Sequence, residues 1–294
     1  MKKTFCFILF GFMLFAASVW GDEVDDGLQG KAGLQIRLSA KQMVQAGVPG
    51  DEAVKMTQRM MENRFREEQV IRAHRVIMAA IGEDLPEKPV MEKAYEGMVK
   101  NMPPDIVLQA MEMTRSRYAY AYHVAEEVTP HKNQARMIGN AIAECLSAGL
   151  AEHDVSRIME LLQARAYQKT TNQPETLASE TFLAARTMAR LGVSGKAAAD
   201  VVCRALENQF SEREMNMLQY SFSNGSLKTD PEALAHQYAG AIGNGERGKG
   251  LESIEGDRTG GFGRTEDSEG GQNASEGAGG GSGGDSGGAG NDSG

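Results

Sequence analysis

Aromatic residues are scarce in this 294-residue chain: they make up 6% of it, and tryptophan occurs once, at Trp20. Long apolar runs are rare as well, and the only one lies at the amino terminus, from Thr4 to Ala17. Residues 39–240 contain almost no alternating runs of Val, Ile, Thr or Tyr, the pattern typical of strands. These deficits exclude a multi-span membrane protein and argue against a sheet protein.

Basic residues are also in deficit, with 31 Lys and Arg against 40 Asp and Glu, a net charge of −9. The first 21 residues hold two of the lysines and no acidic residue, so without them the net charge is −11. Nucleic-acid binding is driven by neutralisation of phosphates by basic side chains. The balance therefore predicts that nucleic acid is not a partner.

The amino terminus has the organisation of a secretory signal peptide. Lys2 and Lys3 precede the apolar run, which is too short to span a bilayer comfortably, and an acidic segment begins at Asp22. Small residues at Val19 and Gly21 predict cleavage after Gly21. We therefore expect residues 1–21 to be removed, and the protein to be periplasmic or secreted in a bacterium, with no stable membrane anchor after cleavage.

Cysteine is nearly absent. Cleavage removes Cys6 and leaves Cys145 and Cys203 in a compartment that permits disulfides. A Cys145–Cys203 bridge is one interpretation. The other is that both thiols are buried as small apolar side chains, because both lie in apolar helical patterns. No cysteine spacing indicates a metal site, and no cofactor is predicted.

The body of the chain is rich in helix-forming residues. Val155, Ile158 and Leu162 recur at helical spacing. Helix starts are predicted at Ser39 with Gln42, at Ser211 with Glu214, and at Asp230 before Pro231. The predicted organisation is a helical domain over residues 39–241. Residues 22–38 form a flexible acidic lead-in or a strap on the first hairpin, and residues 242–294 a disordered tail rich in Gly, Ser and acidic residues.

An internal repeat pairs a residue that tolerates left-handed backbone with an apolar one. It occurs at Gly47-Val48, Asn101-Met102, Gly149-Leu150 and Gly192-Val193. Such pairs end helices in a Schellman-type turn. The sequence therefore predicts an all-α fold of four degenerate αα-hairpins, stacked as a short α-solenoid or a helical bundle. The unit length resembles HEAT and armadillo repeats more than tetratricopeptide repeats, although the spacing is unequal.

Three groups of side chains are candidates for function. Tyr118, Tyr122 and His123 form an aromatic patch that suits a groove for a peptide or glycan, with tyrosine rings packed between hairpins as the competing interpretation. Met111 and Met113 are a possible copper-binding thioether pair, with methionine in the core as the competing interpretation. Alternating charges around His74 predict that this histidine lies on a surface.

The combination of a repeat with no catalytic motif favours a binding role. We expect an exported helical-repeat protein that acts as a protein-binding or scaffolding module in the bacterial envelope, with another envelope or secreted protein as partner. The first alternative is a periplasmic protein that handles a small ligand or copper. The second is a cell-wall-active enzyme, since one well-placed carboxylate would suffice for glycan cleavage.

Overall fold

A computed structural model describes residues 20–248 and 250–251. Within them the regular structure is entirely helical, which confirms the all-α prediction. None of these helices is both long and apolar enough to cross a membrane. The helices are α1 Trp20–Leu28, α2 Leu34–Ala46, α3 Gly50–Glu62, α4 Glu67–Gly82, α5 Glu87–Val99, α6 Pro104–Glu126, α7 Lys132–Ala148, α8 Glu152–Tyr167, α9 Pro174–Arg190, α10 Gly195–Glu207, α11 Glu212–Gly225 and α12 Pro231–Gly243.

The four predicted turns adopt the expected backbone. Gly47, Asn101, Gly149 and Gly192 all have positive φ, from 53° to 121°. In each turn the next residue donates its N–H to a carbonyl five residues earlier, as from Leu150 to Cys145 (3.1 Å). The same turn also ends α3, α4 and α10, where Arg64, Asp84 and Gln209 have positive φ. A count of four hairpins therefore does not describe the fold, because the Gly/Asn pattern misses these turns.

The helices pack in a central layer with further helices on both sides. The central layer runs α2, α4, α6, α7, α9, α11, each packed on the next. Val107 contacts Gly97 of α5, whereas the Tyr120 hydroxyl reaches the Glu152 carbonyl at the start of α8. Val107 and Tyr120 lie about 220° apart around the axis of α6. Helices α1, α3 and α5 thus lie on one side of the layer, and α8, α10 and α12 on the other.

Helices α1–α5 recur as α8–α12. Residues 47–67 and 192–212 are identical at nine of 21 positions. The duplication extends to side-chain contacts: Asn63 donates to the Arg59 carbonyl (2.8 Å) and Asn208 to the Arg204 carbonyl (3.0 Å). The same helix pairs pack in both copies, for example α2 with α4 and α9 with α11. Helices α6 and α7 connect the copies.

Each copy has its own hydrophobic core. One core contains buried residues from Val24 to Met111, and the other from Ala121 to Leu251. Helix α6 contributes to both cores, and Tyr118 packs against both. The junction between the copies therefore runs along α6.

The predicted boundaries of the domain are too narrow. Residues 22–38 are not a flexible lead-in: they include most of α1, whose Val24 and Leu28 are fully buried, in agreement with the strap alternative. Ser39 does not begin a helix but lies buried inside α2. At the other end the chain stays packed to Leu251, which is 2% exposed. Most of the predicted signal peptide and tail, residues 1–19 and 252–294, lies outside the described residues.

The helix starts at Ser211 and Asp230 are confirmed. The Ser211 hydroxyl accepts from the Glu214 N–H while Glu214 accepts from the Ser211 N–H (2.8 Å), which is a complete capping box. Asp230 accepts from the Ala233 N–H (2.9 Å), and Pro231 is the first residue of α12. These predictions succeed because capping depends only on residues a few positions apart.

The prediction that His74 is on the surface is wrong, since the side chain is fully buried. Its Nδ1 lies 3.0 Å from Ser39 Oγ, and its Nε2 lies 3.1 Å from Thr57 Oγ1. The charged residues around it point to solvent, but His74 faces α2 and α3. Two hydroxyl partners make burial of an imidazole possible.

Candidate functional site

The candidate aromatic residues lie near the end of α6, at the junction of the two cores. Tyr118 and Tyr122 share a face, as predicted, with ring centroids 6.2 Å apart and an interplanar angle of 58°. Both rings are half-buried. Burial, and then the Glu144 carboxylate, raises the pKa of Tyr118 to about 12. The Tyr118 hydroxyl therefore stays protonated at neutral pH, and the ring acts as a packing group.

Tyr122 holds α6 against α7. An added Cβ at Gly139 would lie 2.5 Å from the Tyr122 ring, so this close approach requires glycine. The Tyr122 hydroxyl donates to Asn140 Oδ1 (2.9 Å). Burial raises the pKa of this hydroxyl as well. The ring is therefore fixed in one orientation, and the edge that α7 does not cover lines a groove.

We call this cavity the junction groove. It is open to solvent and has a volume of about 700 Å³. Its walls come from the α4–α5 turn, from the end of α6 and from the start of α7. They comprise Glu83, Asp84, Leu85, Ala119, Tyr122, His123, Glu126, Thr129, Pro130, Lys132, Ala135 and Arg136.

The structure brings together two of the three predicted ligand-binding residues. Tyr122 and His123 both line the junction groove, where His123 is exposed. Tyr118 lines a neighbouring groove of about 610 Å³ between α5 and α7, together with Glu92, Glu144 and Arg190 among others. The patch therefore divides between two cavities, because residues four apart on a helix share a face but lie at different heights along it.

Ion pairs cross the rim of the junction groove. Asp84 accepts from Lys132 Nζ (2.8 Å) and from Arg136 Nη2 (3.3 Å), which ties the α4–α5 turn to α7. The hydrogen bond and the charge of Lys132 lower the pKa of Asp84. Glu83 accepts both of its hydrogen bonds from Arg115 Nη1 (2.5 and 2.6 Å). The rim thus offers charges of both signs around an aromatic wall.

Sequence reasoning missed Asp84, Lys132 and Arg136. The available signal was Asp84-Leu85, which is another left-handed residue followed by a buried apolar one, with φ of 60° at Asp84. Aspartate tolerates this conformation better than most residues. That pattern would have located the turn, but not its partners 48 and 52 residues away.

The methionine candidates are not brought together. Met111 is fully buried, whereas Met113 is 57% exposed. Residues two apart lie about 200° apart around a helix, so the two sulfur atoms face different surroundings. Met215 and Met217 are divided in the same way. In the part of the chain that the structure describes, no group of three or more His, Cys, Asp or Glu side chains could hold a metal ion.

Cys145 and Cys203 are both buried and free, so the structure does not contain the possible bridge. Cys145 Sγ donates to the Phe182 carbonyl (3.0 Å). Burial raises the pKa of each thiol to about 12. Both cysteines therefore act as packing residues.

The chain was compared with family models, curated proteins and solved structures. No family model, no curated protein and no solved structure matches the chain.

Proposed function

We propose that this chain is an exported protein-binding module of the bacterial envelope that holds a segment of a partner protein in the junction groove. The observation that carries the proposal is that one open groove draws its walls from both sides of the junction between the two cores. A segment bound there would contact Leu85 of the first core and Ala135 of the second. Export is inferred from the predicted signal peptide alone.

The chemistry of the groove suits a peptide segment. Tyr122, Leu85 and Ala119 supply apolar surface, and tyrosine adds broad contact area at a low entropic cost. Asp84, Lys132 and Arg136 supply a polar rim. An apolar centre with a polar rim is the usual organisation of a protein interface. The partner segment would place an apolar or aromatic side chain against Tyr122 and polar groups at the rim.

A small ligand is the second candidate, because about 700 Å³ is also within the usual size of a ligand cavity. A native mass spectrum of protein isolated gently from its own envelope separates the two. A co-purifying polypeptide supports the module, whereas a stoichiometric small mass without a polypeptide supports the ligand carrier.

Site-specific photo-crosslinking tests the location of the site. A photoreactive phenylalanine analogue at His123, which is exposed in the groove, is expected to give one dominant adduct with an envelope protein. The matched control is the same analogue at His153, which lies on α8 away from the groove and has an 81% exposed side chain. Equal adducts at both positions, or none at His123, would contradict the proposal.

A further inference from the structure

The groove that Tyr118 lines, between α5 and α7, is separate from the junction groove. Helix α6 packs on both α5 and α7 and forms its floor. We call it the α5–α7 groove. Its volume of about 610 Å³ is within the usual size of a ligand cavity. The charged side chains of its walls are Glu92, Lys93, Glu96, Arg117, Glu144 and Arg190.

Four of these six side chains pair with one another across short distances. Glu96 accepts from Lys93 Nζ (2.5 Å), one turn earlier on α5. Glu144 of α7 accepts from Arg190 Nη2 of α9 (3.3 Å). Each pair joins opposite charges within the walls, so these four side chains are already neutralised.

The other two charged side chains, Glu92 and Arg117, are unpaired. In the part of the chain that the structure describes, neither makes an ion pair or a hydrogen bond. Glu92 is exposed on α5, and Arg117 is half-buried on α6. One carboxylate and one guanidinium therefore line the same cavity without neutralising each other.

The Tyr118 hydroxyl lies near both unpaired charges. Burial is the main cause of its raised pKa, to which Glu144, Tyr122 and Glu92 add, whereas Arg117 lowers the pKa. Glu92 and Arg117 are thus both close enough to act on this hydroxyl. It makes no hydrogen bond to any described residue, so its proton is available to a ligand.

The unpaired groups of the α5–α7 groove suit a ligand that carries one charge of each sign. A guanidinium binds a carboxylate through two parallel hydrogen bonds, and a carboxylate binds an ammonium group. A ligand with a single charge would leave either Glu92 or Arg117 without a partner.

From the shared cavity, its two unpaired charges and its free hydroxyl, we infer that the α5–α7 groove binds a small zwitterion, an amino acid or a short peptide with both ends free. Arg117 holds the carboxylate of the ligand, and Glu92 holds its ammonium group. Tyr118 donates a hydrogen bond to the same carboxylate. The inference does not depend on the proposed function, which concerns the junction groove.

Calorimetric titration tests the class of ligand. The probes are alanine, dialanine and trialanine, whose increasing length measures the separation of the two charges. One of them is expected to bind the full-length protein with one site per chain. Its N-acetyl and its C-terminal amide derivatives are each expected to bind about tenfold or more weakly, because each lacks one charge.

Three results of this titration overturn the inference. The first is that none of the probes binds. The second is that blocking one end of the bound probe leaves its affinity unchanged, since a zwitterion site requires both ends. The third is that phosphoethanolamine, which carries a phosphate in place of the carboxylate, binds more tightly than every probe.

Variants test the assigned partners. In Arg117→Gln, amidation of the probe is expected to have no further effect on affinity, and in Glu92→Gln the same holds for N-acetylation. Arg75→Gln and Glu87→Gln are the matched controls, since they remove the same charges from α4 and α5 outside this groove. Circular dichroism checks the fold of each variant. Unchanged probe binding in Arg117→Gln, or equal losses in the controls, overturns the inference.

Discussion

His74 is a fully buried titratable residue with a hydroxyl group beside each ring nitrogen. Thr57 Oγ1 donates to the Ala53 carbonyl (2.7 Å), so it must accept from Nε2–H of His74. Nδ1 therefore accepts from the Ser39 hydroxyl. This arrangement fits the neutral imidazole, and burial lowers the pKa of His74 from 6.5 to about 4.

The first prediction is an acid-sensitive stability. Between pH 6.5 and pH 4 the unfolded chain binds a proton that folded His74 does not, so the free energy of unfolding falls as the pH falls. The loss from this residue is about 3 kcal/mol by pH 4. It is measured by urea unfolding between pH 7 and pH 4.5. His74→Gln is expected to flatten the curve, because glutamine does not titrate in this range. Glutamine is a suitable replacement, since Gln219 occupies the matching position and donates to Thr187 Oγ1 (2.9 Å).

His236→Gln serves as the control, since His236 is exposed, with 70% of its side chain accessible. It should leave the pH dependence unchanged. The same slope in His74→Gln and the unmodified protein would show that other groups produce the effect.

The second prediction concerns the two buried thiols. We expect Cys145 and Cys203 to react with a maleimide at pH 7 only after unfolding, because both are buried and their raised pKa values disfavour the thiolate. Labelling followed by intact mass measurement checks this. Rapid labelling of the native protein, or a two-hydrogen mass deficit from a disulfide, would contradict it.

At the scale of elements, most of the described helices end in a left-handed turn, and two of the helices that follow such a turn begin with glycine. Gly50 begins α3 and Gly195 begins α10, at matching positions of the duplication. Their surroundings differ. An added Cβ at Gly195 would meet backbone, 2.2 Å from the Gly149 carbonyl oxygen, whereas at Gly50 it would meet the end of the Glu23 side chain.

The third prediction follows from that difference. Gly195→Ala is expected to lower the free energy of unfolding by about 1–3 kcal/mol, because backbone must move to relieve the contact. Gly50→Ala should cost much less, because the exposed Glu23 side chain can rotate away. Thermal unfolding of both variants gives the comparison. Equal losses of unfolding free energy in the two variants would show that the backbone contact at Gly195 is not the cause.

At the scale of the whole molecule, two cores share a single long helix. Tyr118 packs against both cores, and Asp84 connects the first copy to α7 through Lys132 and Arg136. Cooperative unfolding of the two cores therefore depends on the contacts that α6 makes with both of them. Regions with separate cores can open as separate units.

The fourth prediction is that Tyr118→Ala uncouples the copies. We expect hydrogen exchange to become faster in one set of helices, α1–α5 or α8–α12, at a denaturant concentration where the other set remains protected. The variant should also lose about 1–3 kcal/mol of stability. Tyr167→Ala is the matched control, since Tyr167 is 90% exposed. Exchange that accelerates equally in both sets would show a single cooperative unit.

Features that depend on residues a few positions apart could be predicted from the sequence, and features that depend on distant residues could not. The all-α class, the four Gly or Asn turns and the caps at Ser211 and Asp230 were predictable, because propensity, left-handed backbone and capping act between residues a few positions apart. The turn at Asp84 was recognisable in principle. Its two cationic partners were not, since they lie about 50 residues along the chain.

Sequence alone therefore determined the helical class and most points where the chain reverses. Tertiary structure decided the rest. It places Ser39 and His74 together in a core and Tyr118 and Tyr122 in different grooves. It also buries Met111 while Met113 stays exposed. The physical reason is that burial and ion pairing depend on which helix faces touch. The packing of α4 on α2 sets the first of these contacts, and the packing of α6 on α5 and α7 sets the others. No local pattern in the sequence encodes either packing.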